Sequence, residues 1–312
     1  MGSETAQTLP FIDLTNDNLK PGSSYWLSTA KDVRAAFEEY SCFLAVYDKA
    51  SKELCNSFIH SLLELFDLPE ETKIKNISEG QPFGYYRRQP ETPLFESVGI
   101  ADSTNVEVVE SFTKTLWPNG NERFSELMLS YGKKISELDK MITRMLFESY
   151  GVERYSDSHI NSTVYKVRVN KYKGPKSDET NLGVFAHTDL GFITIIQQSE
   201  VDGLEVRLKG GSWVAVSFPP SSYIILAGDG MMAWSNGRIQ HCVHRVIIPR
   251  NKDRYSTGIF SFHTGVVHVP GEFIDENHPA KFKSFDHFGL VRFRSANPTV
   301  PEEDRIKIYC GV

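Results

Sequence analysis

Val184-Phe185-Ala186-His187-Thr188-Asp189-Leu190-Gly191-Phe192-Ile193-Thr194-Ile195-Ile196 sets one histidine and one aspartate between two apolar, β-branched and aromatic runs. Runs of that composition read as strands. Side chains alternate along a strand or tight turn, so His187 and Asp189 fall on one side of the backbone and can reach one ion. Alone, His-x-Asp is a weak signal, and its surroundings must give it weight. Downstream, Leu204-Glu205-Val206-Arg207-Leu208, the turn Lys209-Gly210-Gly211-Ser212 and Trp213-Val214-Ala215-Val216 make a hairpin. Ser222-Tyr223-Ile224-Ile225-Leu226-Ala227 reads as a buried strand that stops at Gly228-Asp229-Gly230. Many short strands with regular turns predict a sandwich or jelly roll.

Next come His244-Arg245-Val246-Ile247-Ile248 and Arg254-Tyr255-Ser256. His241 competes with His244, but a strand cannot aim both inward at an offset of three. His244 is therefore paired with His187 and Asp189, and His241 is read as a neighbouring or surface group. In Trp234-Ser235-Asn236-Gly237-Arg238, Asn-Gly reads as a hairpin turn. Two imidazoles and a carboxylate cover one face of an octahedron and suit non-heme Fe(II) with open positions. Zinc held by the same groups and a water is the alternative. Arg254 and Ser256 share a strand face and offer a fork of charged donors plus a hydroxyl for a carboxylate. The same face carries Phe260 and Phe262, an apolar lining for a substrate or ordinary core. Tyr165-Lys166-Val167-Arg168-Val169-Asn170-Lys171-Tyr172 alternates as well, placing Arg168, Asn170 and Tyr172 together. Asn170 and Tyr172 can donate to a cosubstrate, and Arg168 to an anionic or hydroxylated substrate, unless it is an exposed strand arginine.

The chain of 312 residues, 40% hydrophobic and 24% charged, can bury a large core. A net charge of −6 without a basic stripe argues against a nucleic-acid partner. No apolar run approaches membrane-spanning length. Met1-Gly2-Ser3-Glu4-Thr5 resembles no secretory leader, and Gly2 is a poor myristoylation match. Cys42, Cys55, Cys242 and Cys310 form no Cys-x-x-Cys pair or disulfide framework. Reduced thiols suggest the cytoplasm. The sequons Asn76-Ile77-Ser78 and Asn161-Ser162-Thr163 are then expected to stay unused.

Helical spacing dominates the first third: Val33, Phe37 and Tyr40 on one face, Leu54, Phe58, Leu62 and Phe66 on another. Between residues 78 and 120 periodicity fades, predicting a long loop with the character of a lid. Leu127, Tyr131, Ile135, Leu138, Ile142 and Met145 mark one long helix ending at Gly151. The expected division is a helical N-terminal domain (1–110), a supporting helix (111–158), a jelly-roll core (159–265) and a C-terminal helix and loop extension (266–312).

The ordered set Leu9-Pro10-Phe11-Ile12-Asp13-Leu14, Arg168-Val169-Asn170-Lys171-Tyr172, His187-Thr188-Asp189, Asp202-Gly203-Leu204, Gly228-Asp229, Ser235-Asn236-Gly237-Arg238, His244-Arg245-Val246 and Arg254-Tyr255-Ser256 resembles the plant 2-oxoglutarate/Fe(II)-dependent dioxygenases over almost the whole chain. Asn18-Leu19-Lys20-Pro21-Gly22, Trp117-Pro118-Asn119-Gly120-Asn121 and Tyr309-Cys310-Gly311-Val312 are similar to the subgroup of glucosinolate side-chain oxygenases and lignan ring-closing enzymes. The resemblance implies an α+β fold, a distorted double-stranded β-helix of cupin-like type behind a helical N-terminal domain. It implies Fe(II) on His187, Asp189 and His244, O2, ascorbate in support, and 2-oxoglutarate held by Arg254 and Ser256 with help from Asn170 and Tyr172. The expected enzyme is a monomer that oxidises an unactivated C–H of a small plant specialised metabolite and releases succinate and CO2. Lys171 and Lys173-Gly174 depart from the Tyr-Pro-Pro run of many relatives, which leaves the substrate open. An iron oxidase that uses no 2-oxoglutarate, or a silent ligand-binding relative, would share this pattern.

Overall fold

The computed structural model describes residues 8–76 and 83–312. Residues 1–7 with Gly2, the last two residues of the first sequon, and the start of the 78–120 segment lie outside the described residues. In chain order the first elements are β1 (Phe11–Asp13), α1 (Ser24–Tyr40), β2 (Cys42–Val46), α2 (Lys52–Asp67), α3 (Glu70–Lys73), β3 (Phe95–Ile100), α4 (Val106–Leu116), α5 (Glu122–Ser149) and α6 (Ser156–Asn161). The strand-rich part follows as β4 (Thr163–Tyr172), β5 (Leu182–His187), β6 (Ile193–Gln198), β7 (Leu204–Arg207), β8 (Trp213–Ala215), β9 (Ser222–Ala227), α7 (Asp229–Trp234), β10 (His244–Ile247) and β11 (Arg254–His263). β12 (Val266–Val267), β13 (Phe285–Asp286), α8 (His287–Ala296) and α9 (Arg305–Cys310) complete it.

Two sheets make the jelly roll: one of seven strands, ordered β1-β2-β9-β6-β11-β4-β3, and one of four, ordered β5-β10-β7-β8. Both are antiparallel apart from the β1–β2 edge pair. Antiparallel pairing sets residues directly opposite each other, and two registers position the site. β4 and β11 pair over ten residues, so Tyr172, Asn170 and Arg168 lie opposite Arg254, Ser256 and Gly258. On the smaller sheet β10 sets His244 opposite His187 of β5.

The outer face of the larger sheet is covered by α5, whose buried stripe includes Tyr131, Ile135, Leu138, Ile142 and Met145. A stripe at this spacing must be buried against something, and here it meets β4, β6 and β11 with α1, α2 and α4 alongside. Asn121 caps its first turn by accepting the Phe124 N–H at 3.0 Å. Gly151, at φ 70°, leads the chain out just beyond Ser149.

Two expectations fail. The 78–120 segment is not one long loop, because it holds β3 and α4. β3 was hidden because buried Glu96 and Ser97 break the apolar alternation, and its pairing with β4 is long-range. In α4 the β-branched run obscured a helical face of Val109, Phe112, Thr113 and Leu116. α4 also spans the expected boundary at residue 111, and the larger sheet takes β1, β2 and β3 from the N-terminal part. The second failure is Asn236-Gly237, which closes the short helix α7 instead of a hairpin. Both residues have positive φ (52° and 75°), and the Gly237 N–H reaches the Met232 carbonyl at 2.9 Å. Positive φ at two successive residues serves a helix end as well as a hairpin turn.

Beneath the sheet, buried His159 packs against Phe147 and Phe192. Burial, reinforced by His263 and His287, pushes its imidazole down to about 3. The unfolded chain accepts a proton near pH 6.5 that the folded chain refuses, so this residue costs stability as pH falls below 6.5. Asp139, its carboxyl raised to about 7 by burial, acts in the opposite sense, so two proteins must be compared. Between pH 6.5 and 5, denaturant unfolding of wild type should lose about 1.5 kcal/mol more than that of His159→Leu. Parallel pH profiles would remove His159 as the cause.

Candidate active site

β5 ends at His187, and the chain turns through Thr188 and Asp189 before β6 begins. His187 Nε2 lies 3.9 Å from Asp189 Oδ1, and His244 Nε2 lies 3.7 Å from Asp189 Oδ2. Those spacings are too long for hydrogen bonds. They suit one ion sitting on the order of 2.1 Å from each ligand atom. His187 Nδ1 donates to the Phe185 carbonyl at 2.8 Å, and His244 Nδ1 to the Cys242 carbonyl at 3.1 Å. Because a carbonyl only accepts, both Nε2 lone pairs are left facing Asp189. Asp189 Oδ2 is buried and has no hydrogen-bond partner among the described residues. Burial, and then His187, lower the His244 imidazole to about 4, so it is neutral near pH 7 and ready to ligate. These residues fit a divalent ion. Among the described residues they are the cluster of three or more His, Cys, Asp or Glu so disposed.

His241 is not at the surface. Its Nδ1 pairs with Asp229 Oδ1 at 2.7 Å, and both side chains are nearly fully buried. Asp229 in turn donates its N–H to the Asp189 carbonyl at 2.8 Å. His241 therefore acts from behind the triad.

His187, Asp189 and His244 line a cavity of about 1120 Å³. On its wall Arg254 is only 1% exposed. Nη1 donates to Ser256 Oγ at 3.3 Å, while Nε and Nη2 donate to Gln198 Oε1 at 3.2 and 2.8 Å. No carboxylate among the described residues forms an ion pair with it. A buried guanidinium in that state costs several kcal/mol unless an anion arrives. Tyr172 places its ring 5.0 Å under the guanidinium. Asn170 Nδ2 donates to Ser256 Oγ at 3.3 Å, and Asn170 Oδ1 is buried without a hydrogen-bond partner among the described residues.

Sequence reading missed Gln198, which Asp202 steadies by accepting its amide N–H at 2.6 Å. Asp202-Gly203-Leu204 carried a trace of this. A Cβ on Gly203 would stand 2.6 Å from the Ile247 carbonyl and 3.2 Å from Arg254 Cδ, so a side chain there would force the Ile247 backbone to shift and crowd Arg254. Phe260 is half-buried on the cavity wall, and Phe262 is buried at its floor, edge-on to Phe83 at 5.5 Å. Arg168 lines the same cavity and donates to Ser97 Oγ at 2.8 Å, so it is not an exposed strand arginine. Arg294, Glu302 and Arg305 of the C-terminal segment also line it, which local pattern did not signal.

Two family models match the chain: the 2OG-Fe(II) oxygenase superfamily over residues 164–263 and the N-terminal region of non-haem dioxygenases of morphine synthesis over 9–118. A probable 2-oxoglutarate-dependent dioxygenase, AOP1 of Arabidopsis thaliana, is 43% identical over 91% of this chain and 96% of its own length. The crystal structure of the rice dioxygenase for auxin oxidation superposes with a TM-score of 0.81 at 26% identity, covering 98% of this chain and all (100%) of that one. Its Arabidopsis thaliana counterpart, solved as a complex with 2-oxoglutarate, gives a TM-score of 0.75 at 29% identity over 87% of this chain and 100% of its own. The chain belongs to the 2-oxoglutarate/Fe(II)-dependent oxygenases. It is an oxidoreductase whose cofactors are Fe(II) and 2-oxoglutarate, in the plant dioxygenase branch of that family.

Asp189→Ala should lower the affinity of the apo protein for Co(II), used as a spectroscopic probe, by at least tenfold, since two imidazoles remain. An unchanged titration curve would place the ion elsewhere.

Proposed function

We propose that His187, Asp189 and His244 hold the iron, and that Arg254 and Ser256, helped by Asn170 and Tyr172, hold the distal carboxylate of 2-oxoglutarate. When bound, Fe(II) supplies the redox chemistry that couples O2 and 2-oxoglutarate decarboxylation to oxidation of a substrate C–H. The buried Arg254, without a carboxylate partner among the described residues and in the same cavity as the triad, carries this reading. Its fork matches a carboxylate bidentately, and the surrounding burial strengthens the attraction. Gln198 keeps the fork aimed while no anion is present.

The substrate is a small plant specialised metabolite that is hydroxylated, demethylated, desaturated or cyclised. Support comes from the remaining wall, where Phe260, Phe262, Val184, Ile196 and Leu204 make an apolar surface with Arg168 as a polar contact. Exposed Ile74, Tyr86 and Phe185 rim the opening, and residues 83–86 form part of the wall in keeping with a lid. The enzyme works as a cytoplasmic monomer with no nucleic-acid or membrane partner. Four free, buried cysteines are in keeping with a reducing compartment, and among the described residues no helix is long and apolar enough to cross a membrane.

Anaerobic addition of Fe(II) and then 2-oxoglutarate should produce a saturable visible charge-transfer band, and its absence from folded, iron-loaded protein would sink the cosubstrate assignment. Arg254→Ala should weaken 2-oxoglutarate by about 1.5–3 kcal/mol, roughly 10- to 150-fold, in the same titration. Phe260→Ala should alter which metabolites stimulate succinate formation while substrate-free 2-oxoglutarate decay persists. An unaltered preference would remove Phe260 from the pocket.

A further inference from the structure

The turn that carries two of the three triad residues is gripped by a part of the chain more than a hundred residues later. Thr188, between His187 and Asp189, is 1% exposed. Its N–H donates to Glu302 Oε2 at 3.3 Å, and its hydroxyl donates to the Glu302 carbonyl at 3.4 Å. The other carboxylate oxygen of Glu302 is occupied by Arg305 Nη2 at 2.9 Å and Arg294 Nη2 at 3.3 Å. Arg305 is 3% exposed, and Arg294 reaches in from α8. Behind the turn, the Asp229 N–H holds the Asp189 carbonyl at 2.8 Å, and the Asp229 carboxylate is held by His241. The turn is thus held at Asp189 by Asp229 and at Thr188 by Glu302.

We propose that Glu302 is a positioning residue for the metal: by holding Thr188 it sets the aim of His187 and Asp189, while Arg305 and Arg294 set the aim of Glu302. The proposal rests on the triad's being the metal site. Its physical basis is that a ligand is useful only in the orientation that meets its partners, and outer hydrogen bonds fix that orientation. The two histidine rings are each steered by the carbonyl two residues earlier in the chain. The turn backbone is held at Asp189 by the Asp229 N–H, and Glu302 adds a hold at Thr188. Two arginines on one carboxylate oxygen restrain it far more than a solvated glutamate would be restrained.

The test is a Co(II) titration of anaerobic apo protein, following the visible absorption of bound Co(II), with wild type, Glu302→Gln and Glu302→Ala. Glu302→Ala should lose about 10- to 100-fold in affinity and shift the absorption spectrum. Glu302→Gln, whose amide oxygen still accepts the Thr188 N–H, should recover part of both. If Glu302→Ala does not fold, Arg294→Gln provides the same reading, with a several-fold loss expected. A lowered thermal midpoint with affinity and spectrum unmoved would overturn the proposal. So would a raised KM for substrate with Co(II) binding intact, since Glu302 would then act on substrate from the cavity wall. Wild type that binds no Co(II) would overturn the metal site itself, whereas wild type and variants that bind alike overturn only the role of Glu302.

Discussion

Antiparallel register is the constraint on which the rest of this molecule depends. The pairing of β4 with β11 runs ten residues without interruption, and it alone brings Asn170 and Tyr172 to Ser256 and Arg254. A slip of either strand by one residue would turn its own two side chains, Asn170 and Tyr172 or Ser256 and Arg254, from the cavity into the opposite layer, because side-chain direction has period two. The same holds for β5 and β10, whose register brings His244 face to face with His187. The apolar helical shell supports this by burying the outer face of the larger sheet, where α5 presses on β4, β6 and β11. Hydrophobic burial there resists register slippage, and the site inherits that resistance.

The polar groups inside this frame are left incomplete in an informative way. Buried polar atoms in folded proteins are nearly always partnered. Here Asp189 Oδ2 and Asn170 Oδ1 stand among the few described side-chain atoms that are buried and unpaired, and both face the cavity residues. Arg254 has neutral partners only. An ion at the triad and a carboxylate at Arg254, as proposed, would complete the bonding.

Much of this was legible in the chain because its signals are local. His187 and Asp189 sit two apart between clear strand patterns. Arg254, Ser256 and Phe260 alternate along one strand, and Arg168, Asn170 and Tyr172 along another. α5 was legible from its regular apolar stripe. What escaped were groups defined by distant neighbours. Gln198 ends β6 beside a second glutamine, Gln197, and gains its role only when β11 pairs with β6. β3 holds a buried Glu96, an unpromising strand residue until Lys73 is brought beside it. Asn236-Gly237, a hairpin-turn signal in the sequence, ends a helix instead, since a helix stop and a hairpin can both use positive φ.

The amino-acid sequence by itself determined the family, and its motifs marked out the candidate triad, the proposed carboxylate clamp and the long helix α5. The His187-Asp189 and Arg254-Ser256 pairs rest on residue types two apart, which covalent geometry converts directly into a shared face. Tertiary structure alone decided that the C-terminal segment reaches back to the turn of His187 and Asp189, with Glu302 on Thr188 and with Arg294 and Arg305 on Glu302. It alone decided that His241 turns to Asp229 and away from the triad. The physical reason is that these contacts join parts of the chain with no local periodicity in common. Only the packed sheets and the helices laid against them bring such parts within hydrogen-bond reach.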